Sequence, residues 1–296
     1  MKQNNRALLM LTASMTIFGT IGIFRKYIHL PSSLLAMARG LIGTLFLIVF
    51  LALRRRKFDR EAIRRNGLLL VLSGIFIGFN WILLFEAYRY TTIATATLCY
   101  YMAPVLVILF APLVIRERLT AQKLVSVLLA LCGMALVSGI FGGTSDHSTN
   151  TVGILLGLGA AALYASVILV NKKLREIDGI DRTVIQLFSA GAVMIPYVLL
   201  AEDLSAIVFD PRSLIFLLIV AIVHTGIAYA MYFGSIGSLS AHTVAIFSYI
   251  DPVVAIVLSA VVFGERMGID GIIGAILILG AALLGELPIW KIKGKK

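Results

Sequence analysis

The chain of 296 residues is 60% hydrophobic and only 14% charged, with a mean hydropathy of +0.99. A soluble domain is closer to half apolar and a quarter charged, so this composition excludes an ordinary soluble protein and indicates a bilayer protein. The formal net charge is +11. Its basic residues fall in short clusters between apolar runs, as membrane-topology signals do, and we therefore expect no nucleic-acid partner.

The first apolar run has the basic start and apolar core of a cleavable signal peptide. It is about as long as a membrane span and many more spans follow, so we interpret it as a retained first helix. Cys99 and Cys132 lie within apolar runs and have no second pair. Neither a disulfide framework nor a CxxC metal site is expected, and we predict no metal and no cofactor.

Ten stretches are long enough to span a membrane as helices, which needs about 20 apolar residues each. Charges, prolines and loop clusters divide the chain into predicted spans at 7–24, 31–53, 67–88, 93–115, 121–141, 152–170, 183–201, 213–234, 241–263 and 268–288. The loops are short and leave no room for a soluble domain. The sequence therefore predicts an all-α polytopic membrane protein with ten transmembrane helices. A monomer is compatible with it, although nothing in the sequence sets the oligomeric state.

Lysine and arginine are unevenly divided between the two sides of the predicted bundle. With the N-terminus inside, 20 of the 26 basic residues fall in inner segments and five in outer loops, while Arg39 lies within a span. This positive-inside bias predicts cytoplasmic N- and C-termini, and we expect a bacterial cytoplasmic membrane. The densest cluster, at 54–65, is explained by topology, with a basic patch for a partner or for anionic lipid as the alternative.

Residues 100–118 and 248–266 repeat one another. Superposed with an offset of 148, they share seven identities in 19 positions. These identities include Pro104 with Pro252 and Glu117 with Glu265. Chance rarely preserves Pro, Glu and Arg together in apolar sequence, so we interpret the two stretches as copies.

The repeat extends over most of the chain. The 148 register continues backward through 85–97 and 233–245, and 16–26 matches 162–172 with an offset of 146. We predict two five-helix halves, 1–141 and 152–296. Because five is odd, the second half enters the membrane from the opposite side. Inverted repeats of this kind are the architecture of many secondary transporters, in which they permit alternating access.

The duplicated fourth-helix pattern, with a Gly-containing fifth helix after each copy, resembles the ten-helix EamA branch of the drug/metabolite transporter superfamily. The stretch AMARGLIG at 36–43 is also similar to that family's second helix. The resemblance covers nearly the whole chain. It implies a central cavity lined by helices 1, 3, 4, 6, 8 and 9, often used for metabolite export. It does not imply one substrate, since relatives are linked to amino acids, nucleobases, vitamins, quaternary amines, nucleotide-conjugated sugars and drugs.

Two ionisable residues lie near the predicted bilayer midplane, where charge is costly and usually functional. His224 and Asp251 are central in the eighth and ninth spans, each roughly 15 Å from a helix end. A carboxylate and an imidazole that approach each other could exchange protons, so we expect both to be proton-coupling candidates. The alternative is that Asp251 caps backbone freed by Pro252 while His224 is a packing residue.

Arg39 lies about eight residues into the second span, too deep for a flanking charge. It could bind a substrate carboxylate, snorkel outward, or pair with Glu86 near the outer end of the third span. The resemblance makes an arginine in helix 2 common and helix 2 peripheral to the cavity. We therefore favour a structural role for Arg39 and Glu86.

Aromatic residues complete the predicted site. Trp81 and Tyr88 are seven residues apart and share a face, whereas Glu86 points roughly 140° away from Trp81. Tyr88, Tyr90 and Tyr232 are more typical of an interfacial belt. The predicted substrate-binding residues are Asn80, Trp81, Tyr101, Tyr164, Tyr229, Tyr249 and Asp251. Aromatic rings around one acid suit a cationic or zwitterionic organic solute.

Pro104 and Pro252 fall near the midpoints of their spans. Each removes an amide donor and frees the carbonyl four residues earlier, on Tyr100 or Ser248, for water, a side chain or substrate. We predict that both prolines kink cavity-lining helices and take part in gating. Pro112 indicates no more than a local bend.

The leading hypothesis is a secondary active or facilitative carrier of a small organic metabolite. An amino-acid-like or amine solute, moved in the export direction, fits best, with protons as the candidate coupling ion. Uptake of a nucleobase, vitamin or quaternary amine is the alternative. A membrane-embedded enzyme is a distant one, since a second central aspartate, an HExxH helix and a GxSxG elbow are all missing from the sequence. A channel or a purely structural membrane protein is also open.

Overall fold

The computed structural model describes residues 2–116, 119–138, 147–265 and 267–286, and it is helical throughout these ranges apart from short connections. The first half contains α1 Lys2–Gly19, α2 Ile21–Lys26, α3 Ser32–Leu53, α4 Arg60–Tyr90, α5 Ile93–Tyr100, α6 Ala103–Val114 and α7 Ala121–Val137. The second contains α8 His147–Asn171, α9 Gly179–Ala201, α10 Pro211–Ile219, a π-helical segment Val220–Ile227, α11 Ala228–Ile236, α12 Ala241–Ser248, α13 Ile250–Phe263 and α14 Ile269–Glu286. Glu117 of the repeated pattern, with Arg118, Arg266 and residues 287–296, lies outside the described residues.

Ten apolar helical segments correspond to the ten predicted spans. Eight of them are long and apolar enough to cross a membrane. The other two, Ala121–Val137 and Ile269–Gly285, are shorter apolar helices and occupy the fifth position of each half. The predicted all-α, ten-helix fold class is confirmed.

The third span is longer than its apolar run. We predicted a start at residue 67, but α4 begins at Arg60 and runs for 31 residues. Asp59 is its N-cap and accepts a hydrogen bond of 2.9 Å from the Ala62 amide, and Glu61 lies in the first turn. A capped first turn with an acidic residue stabilises helix through polar sequence, so this basic stretch is helical instead of a loop.

The fourth span of each half is interrupted at the same place. Helix α5 ends at Tyr100 and α6 begins at Ala103, while α12 ends at Ser248 and α13 begins at Ile250. The interruption thus falls two to three residues before each proline, because the proline ring cannot continue the hydrogen-bond ladder behind it.

The start of each interrupted helix is also repeated. The Thr92 hydroxyl accepts a bond from the Thr95 amide, and the Ser240 hydroxyl accepts one from the Thr243 amide. These pairs are related by the same offset of 148 as the prolines, so the two copies share their capping as well as their break.

Two further irregularities have no copy in the other half. The first span breaks at Thr20, between α1 and α2, whereas its counterpart α8 is continuous. The eighth span widens into the π-helical segment, where the Thr225 hydroxyl donates to the Val220 carbonyl at 3.2 Å. Wide turns of this type are often found at functional sites.

The halves interlock through pairs of helices. Helix α4 packs along α8, α3 along α9, α7 along α14 and α1 along α11. The pairs follow the repeat. The α3–α9 and α7–α14 pairs each join corresponding spans of the two halves, and the α4–α8 pair corresponds to the α11–α1 pair. Close approach at α3 and α9 depends on glycine, since a Cβ atom on Gly40 would meet the backbone of Gly191.

Loops 54–59 and 172–178 lie at one end of the bundle, which we call the Arg56 face. There Arg56 contacts Asp178 at 2.8 Å and Asp181 at 3.3 Å. The opposite end carries residues 27–31, 202–210 and Glu265, and we call it the Glu265 face. The charge bias predicts that the Arg56 face is cytoplasmic.

Candidate functional site

Tyr101 and Asp251 meet where the two interrupted helices face each other. The Tyr101 hydroxyl donates to the Asp251 carboxylate at 2.9 Å and also contacts the Ser248 carbonyl at 3.4 Å. The Ser248 carbonyl is the one that Pro252 deprives of its amide partner. A side chain from the first half therefore lies against backbone freed in the second, although its one proton goes to the nearer Asp251 carboxylate.

Five tyrosines lie within electrostatic range of the Asp251 carboxyl group, and we call them the tyrosine cluster: Tyr88, Tyr100, Tyr101, Tyr164 and Tyr229. The rings of Tyr100 and Tyr164 are 5.3 Å apart, and those of Tyr100 and Tyr101 are 6.3 Å apart. Electron-rich rings near one carboxylate suit an organic cation.

His224 and Asp251 are not hydrogen-bonded to each other. Its Nε2 hydrogen-bonds the Thr20 hydroxyl at 2.8 Å, and its ring lies edge-on to Phe24 at 4.8 Å. Gly19, next to Thr20, packs so tightly on helix α13 that a Cβ atom there would lie 2.5 Å from the Asp251 carbonyl oxygen. The break in the first span thus contacts both residues, and a direct histidine–aspartate pair is replaced by contacts through helix 1.

Arg39 points into the bundle, although helix 2 was expected to be peripheral. The residue is 4% exposed, and its guanidinium lies 4.1 Å from the Trp81 ring centroid and 5.3 Å from that of Phe85. Its Nε donates to the Thr225 hydroxyl of the π-helical segment at 3.0 Å. Arg39 therefore neither snorkels outward nor pairs with Glu86 in this structure, which leaves binding of a substrate carboxylate from the three alternatives.

Glu86 belongs to a separate polar group on the Glu265 face. It accepts hydrogen bonds from Ser32 at 2.5 Å and from Arg89, and it lies 4.0 Å from Arg25. These contacts join α4 to the end of α2 and to the start of α3. Glu86 is consequently a structural residue in this conformation.

Asn80 and Tyr249 lie at the margins of the predicted site. The Asn80 amide donates to the Ala160 carbonyl at 2.5 Å, which joins helices α4 and α8. Tyr249 is half-buried at the break between α12 and α13, with its ring 6.2 Å from that of Tyr101. Of the predicted substrate-binding set, Tyr101, Tyr164, Tyr229 and Asp251 are thus brought together most directly.

Two members of the tyrosine cluster were missed by sequence reasoning. Tyr88 was expected in an interfacial belt but is 5% exposed, with its hydroxyl 3.5 Å from that of Thr97. Tyr100 precedes Tyr101 and is not among the predicted site residues, and in a regular helix the two side chains would point 100° apart. The turn at this break lets adjacent tyrosines contact one cluster, and the Pro104 signal could have indicated that.

Glu265 ties three helix ends together on its own face. Its carboxylate accepts from Lys26 Nζ at 2.6 Å and from the Ile93 amide at 2.9 Å, and Ser259 donates to it as well. Burial alone would raise the pKa of the Glu265 carboxyl, but these hydrogen bonds and the Lys26 charge outweigh it and lower the pKa. The Lys26 ammonium also lies 5.4 Å from the Phe263 ring. Helices α2, α5 and α13 are thereby held together at this end.

Tyr164 lies at the edge of the tyrosine cluster. Its ring centroid is 5.3 Å from that of Tyr100, and the residue is 39% exposed. On the same helix Leu155 is 63% exposed, and nine residues at 100° each place it about 180° away from Tyr164. The two residues thus lie on opposite faces of α8.

A cleft of about 610 Å³ lies on the Glu265 face. Arg25, Ser33, Arg89 and Tyr197 contribute to its walls, and Tyr88 lines it too. Tyr88 is thus common to the lining of this cleft and to the tyrosine cluster.

The described residues hold no group of three or more His, Cys, Asp or Glu placed to bind a metal ion. Cys99 is buried and Cys132 is exposed, and both are free thiols in the described ranges.

Comparison with known proteins identifies a transporter family over nearly the whole chain. The model of the EamA-like transporter family matches residues 5–139 and again residues 151–285. The chain is 33% identical to the uncharacterized transporter YxxF of Bacillus subtilis over 96% of this chain and 90% of that protein. It is 24% identical to protein RarD of Escherichia coli over 91% and 90%. A solved crystal structure aligns with a TM-score of 0.64 at 19% identity, covering 96% of this chain and 97% of the other.

Proposed function

Since the chain belongs to the EamA-like transporter family, we propose that it carries a small organic metabolite across the membrane by alternating access. The substrate is an amino-acid-like or amine solute whose cationic group binds Asp251. The observation that carries this proposal is the Asp251 carboxylate, which accepts a hydrogen bond from Tyr101 among the rings of the tyrosine cluster. A desolvated carboxylate among aromatic rings attracts an organic cation by charge and by cation–π contact.

Alternating access is supported by the interruptions of the helices around the site. At the Glu265 face, the contacts of Glu265 with Lys26 and Ile93 close the ends of α2, α5 and α13 against each other, beside the cleft that Tyr88 lines. Helix interruptions at Thr20, Tyr101 and Tyr249 give three places where half-helices can pivot about a fixed site. Export is the proposed direction, because the family that the sequence resembles is often used for metabolite export.

Protons are the proposed coupling ion. Asp251 has no lysine or arginine within ion-pair distance among the described residues, and its hydrogen-bond donor is a tyrosine. A carboxyl group in that environment can release its proton when a cationic substrate binds, so the proton and the substrate compete for one site. His224 would act through Thr20 and the first helix, because it contacts the break that also packs on Asp251.

A second candidate is a carrier for a quaternary amine. The tyrosine cluster favours it specifically, since aromatic cages recognise quaternary ammonium groups without needing a hydrogen-bond donor on the ligand.

The experiment is solute counterflow in liposomes that contain the purified chain. Vesicles loaded with an unlabelled amino acid or amine should transiently accumulate the labelled compound, which a channel or a structural protein would not produce. Asp251→Asn should abolish counterflow. Asp270→Asn makes the same substitution at an exposed position of α14 and should leave it intact. Equal counterflow in both variants would contradict the proposal.

A further inference from the structure

Arg39 is a buried cation that has no counter-ion among the described residues. It is 4% exposed, and its single hydrogen bond in this part of the chain goes from Nε to Thr225. Arg25 is equally buried at 4%, but it lies 4.0 Å from Glu86 and also donates to Ser32 and to a carbonyl. An unpaired guanidinium in a membrane interior is costly, so the contrast between the two arginines calls for an explanation.

Three side chains contact the Arg39 guanidinium. The group lies over the rings of Trp81 and Phe85, and its Nε–H donates to the Thr225 hydroxyl. The two terminal nitrogens are left with no hydrogen-bond acceptor in the described ranges. A planar fork of this kind matches the two oxygens of a carboxylate.

Arg39 and Asp251 border the same aromatic cluster. Thr225, which accepts from Arg39, is one helical turn before Tyr229, and Trp81, which lies against Arg39, is two turns before Tyr88. The Tyr88 hydroxyl is 3.5 Å from that of Thr97, one turn before the tyrosine that donates to Asp251. No ion pair joins Arg39 to Asp251 in the residues that the structure describes.

We infer that Arg39 is the anion-binding residue of the central site and that the substrate is a zwitterion. Its acid group binds the Arg39 guanidinium, its ammonium group binds Asp251, and the tyrosines contact what lies between. This inference rests on the proposed function and narrows it: solutes that carry both groups are selected over simple amines and over quaternary amines without an acid group. Arg39 then compensates the charge of the substrate and not that of another helix.

The test compares matched compounds on the purified full chain by thermal shift. The probes are leucine with isoamylamine, phenylalanine with phenethylamine and lysine with cadaverine, together with the methyl ester of each amino acid. We expect at least one amino acid to stabilise the wild-type protein. Its amine and its ester should bind about tenfold more weakly or worse, because both lack the carboxylate and its charge-assisted hydrogen bonds.

Variants at Arg39 test whether this residue causes the preference for an amino acid over its amine. Arg39→Gln should bring the affinities of amino acid and amine to within about twofold of each other, and Arg39→Lys should retain part of the difference because it keeps the charge but loses the fork. Arg25→Gln is the matched control: it removes an equally buried arginine, should lower the melting temperature, and should leave the amino-acid preference unchanged.

The outcomes separate the two proposals. If amines stabilise the wild-type protein as well as amino acids do and Asp251→Asn abolishes both effects, the role of Arg39 is refuted while the proposed function stands. If Arg39→Gln or Arg39→Lys keeps the full wild-type preference, the inference also fails. If neither compound class binds the wild-type protein, the proposed function falls with it.

Discussion

The Tyr101 hydroxyl donates a 2.9 Å hydrogen bond to the Asp251 carboxylate across 150 residues of sequence. The two residues come from corresponding helices of the two halves, each at the interruption beside its proline. One hydrogen bond therefore connects the two halves at the proposed substrate site, and it can be removed without changing the charge of the site.

Tyr101→Phe should weaken substrate binding without abolishing transport. A hydrogen bond to a charged group contributes about 1.5–3 kcal/mol, so we expect roughly a ten- to hundredfold rise in the half-saturation concentration for counterflow. Tyr90→Phe, at an exposed tyrosine of α4, is the control and should behave as wild type. An unchanged half-saturation concentration in Tyr101→Phe would remove this hydrogen bond from the binding site.

Gly19→Ala should separate the first helix from α13. The added Cβ would lie 2.5 Å from the Asp251 carbonyl oxygen and 2.7 Å from Val254 Cβ, so one helix must move. We expect a lower melting temperature and slower counterflow. Gly280→Ala places a Cβ in open space on α14 and should be neutral or slightly stabilising, because alanine is the better helix former by about 1 kcal/mol. If both variants melt alike, the close packing at Gly19 has no energetic importance.

Glu265→Gln should loosen the closed end of the bundle. The amide keeps hydrogen-bonding capacity but loses the ionic contact with Lys26, which holds α2 against α13. We expect more frequent opening of the Glu265 face, read as faster proteolysis or labelling of cysteines introduced along the cleft, and an altered ratio of export to uptake. The exchanged pair Lys26→Glu with Glu265→Lys should restore part of the wild-type behaviour. Identical labelling in all three proteins would mean that this pair does not hold the face closed.

The same carboxylate predicts a pH dependence. The pKa of Glu265 is lowered from the ordinary value of 4.5, so its contribution to stability is fully present above that value and is lost as the pH falls through the lowered pKa. The melting-temperature difference between wild type and Glu265→Gln should stay constant from about pH 8 to pH 5.5 and shrink below about pH 4.5. A difference that already shrinks between pH 7 and 6 would indicate a raised pKa and contradict these contacts.

Arg56→Ala should destabilise the Arg56 face. The Asp181 side chain is 2% exposed and accepts from Arg56 and from the Asp59 amide. Removing the guanidinium leaves a buried carboxylate with one donor, which costs about 1–3 kcal/mol. Thermal unfolding in detergent measures this loss. Arg60→Ala changes an exposed arginine nearby and should cost less than half as much, and equal losses would mean that the Asp181 contact is unimportant.

Much of this architecture can be predicted from sequence, because apolar length and prolines act locally. Ten apolar runs correspond to ten helical segments, and Pro104 and Pro252 indicate where two of them are interrupted. The helical start at Arg60 was not predictable from hydropathy, since a capping aspartate and not apolar sequence stabilises that turn.

The candidate site was only partly predictable, since its assembly depends on how helices rotate against each other. Depth in the membrane indicates Asp251 and His224 as candidate site residues. Nothing in the sequence near residue 39 shows that the Arg39 guanidinium lies against Trp81. The burial of Tyr88 and the contact of His224 with Thr20 are likewise tertiary. Sequence periodicity fixes which residues share a face, and packing decides what that face meets.

The π-helical segment has a consequence for comparing the two halves. A turn closed by i→i+5 bonds holds one residue more than an α-helical turn. The third span has no such turn, so the residues before Val220 and those after Ile227 align with it at offsets that differ by one. The first and sixth spans match with an offset of 146, but the ends of the third and eighth match with 148. One of the two inserted residues can be accommodated in this wide turn without breaking the helix. A gap-free alignment of the halves would therefore pair His224 with the wrong residue of α4.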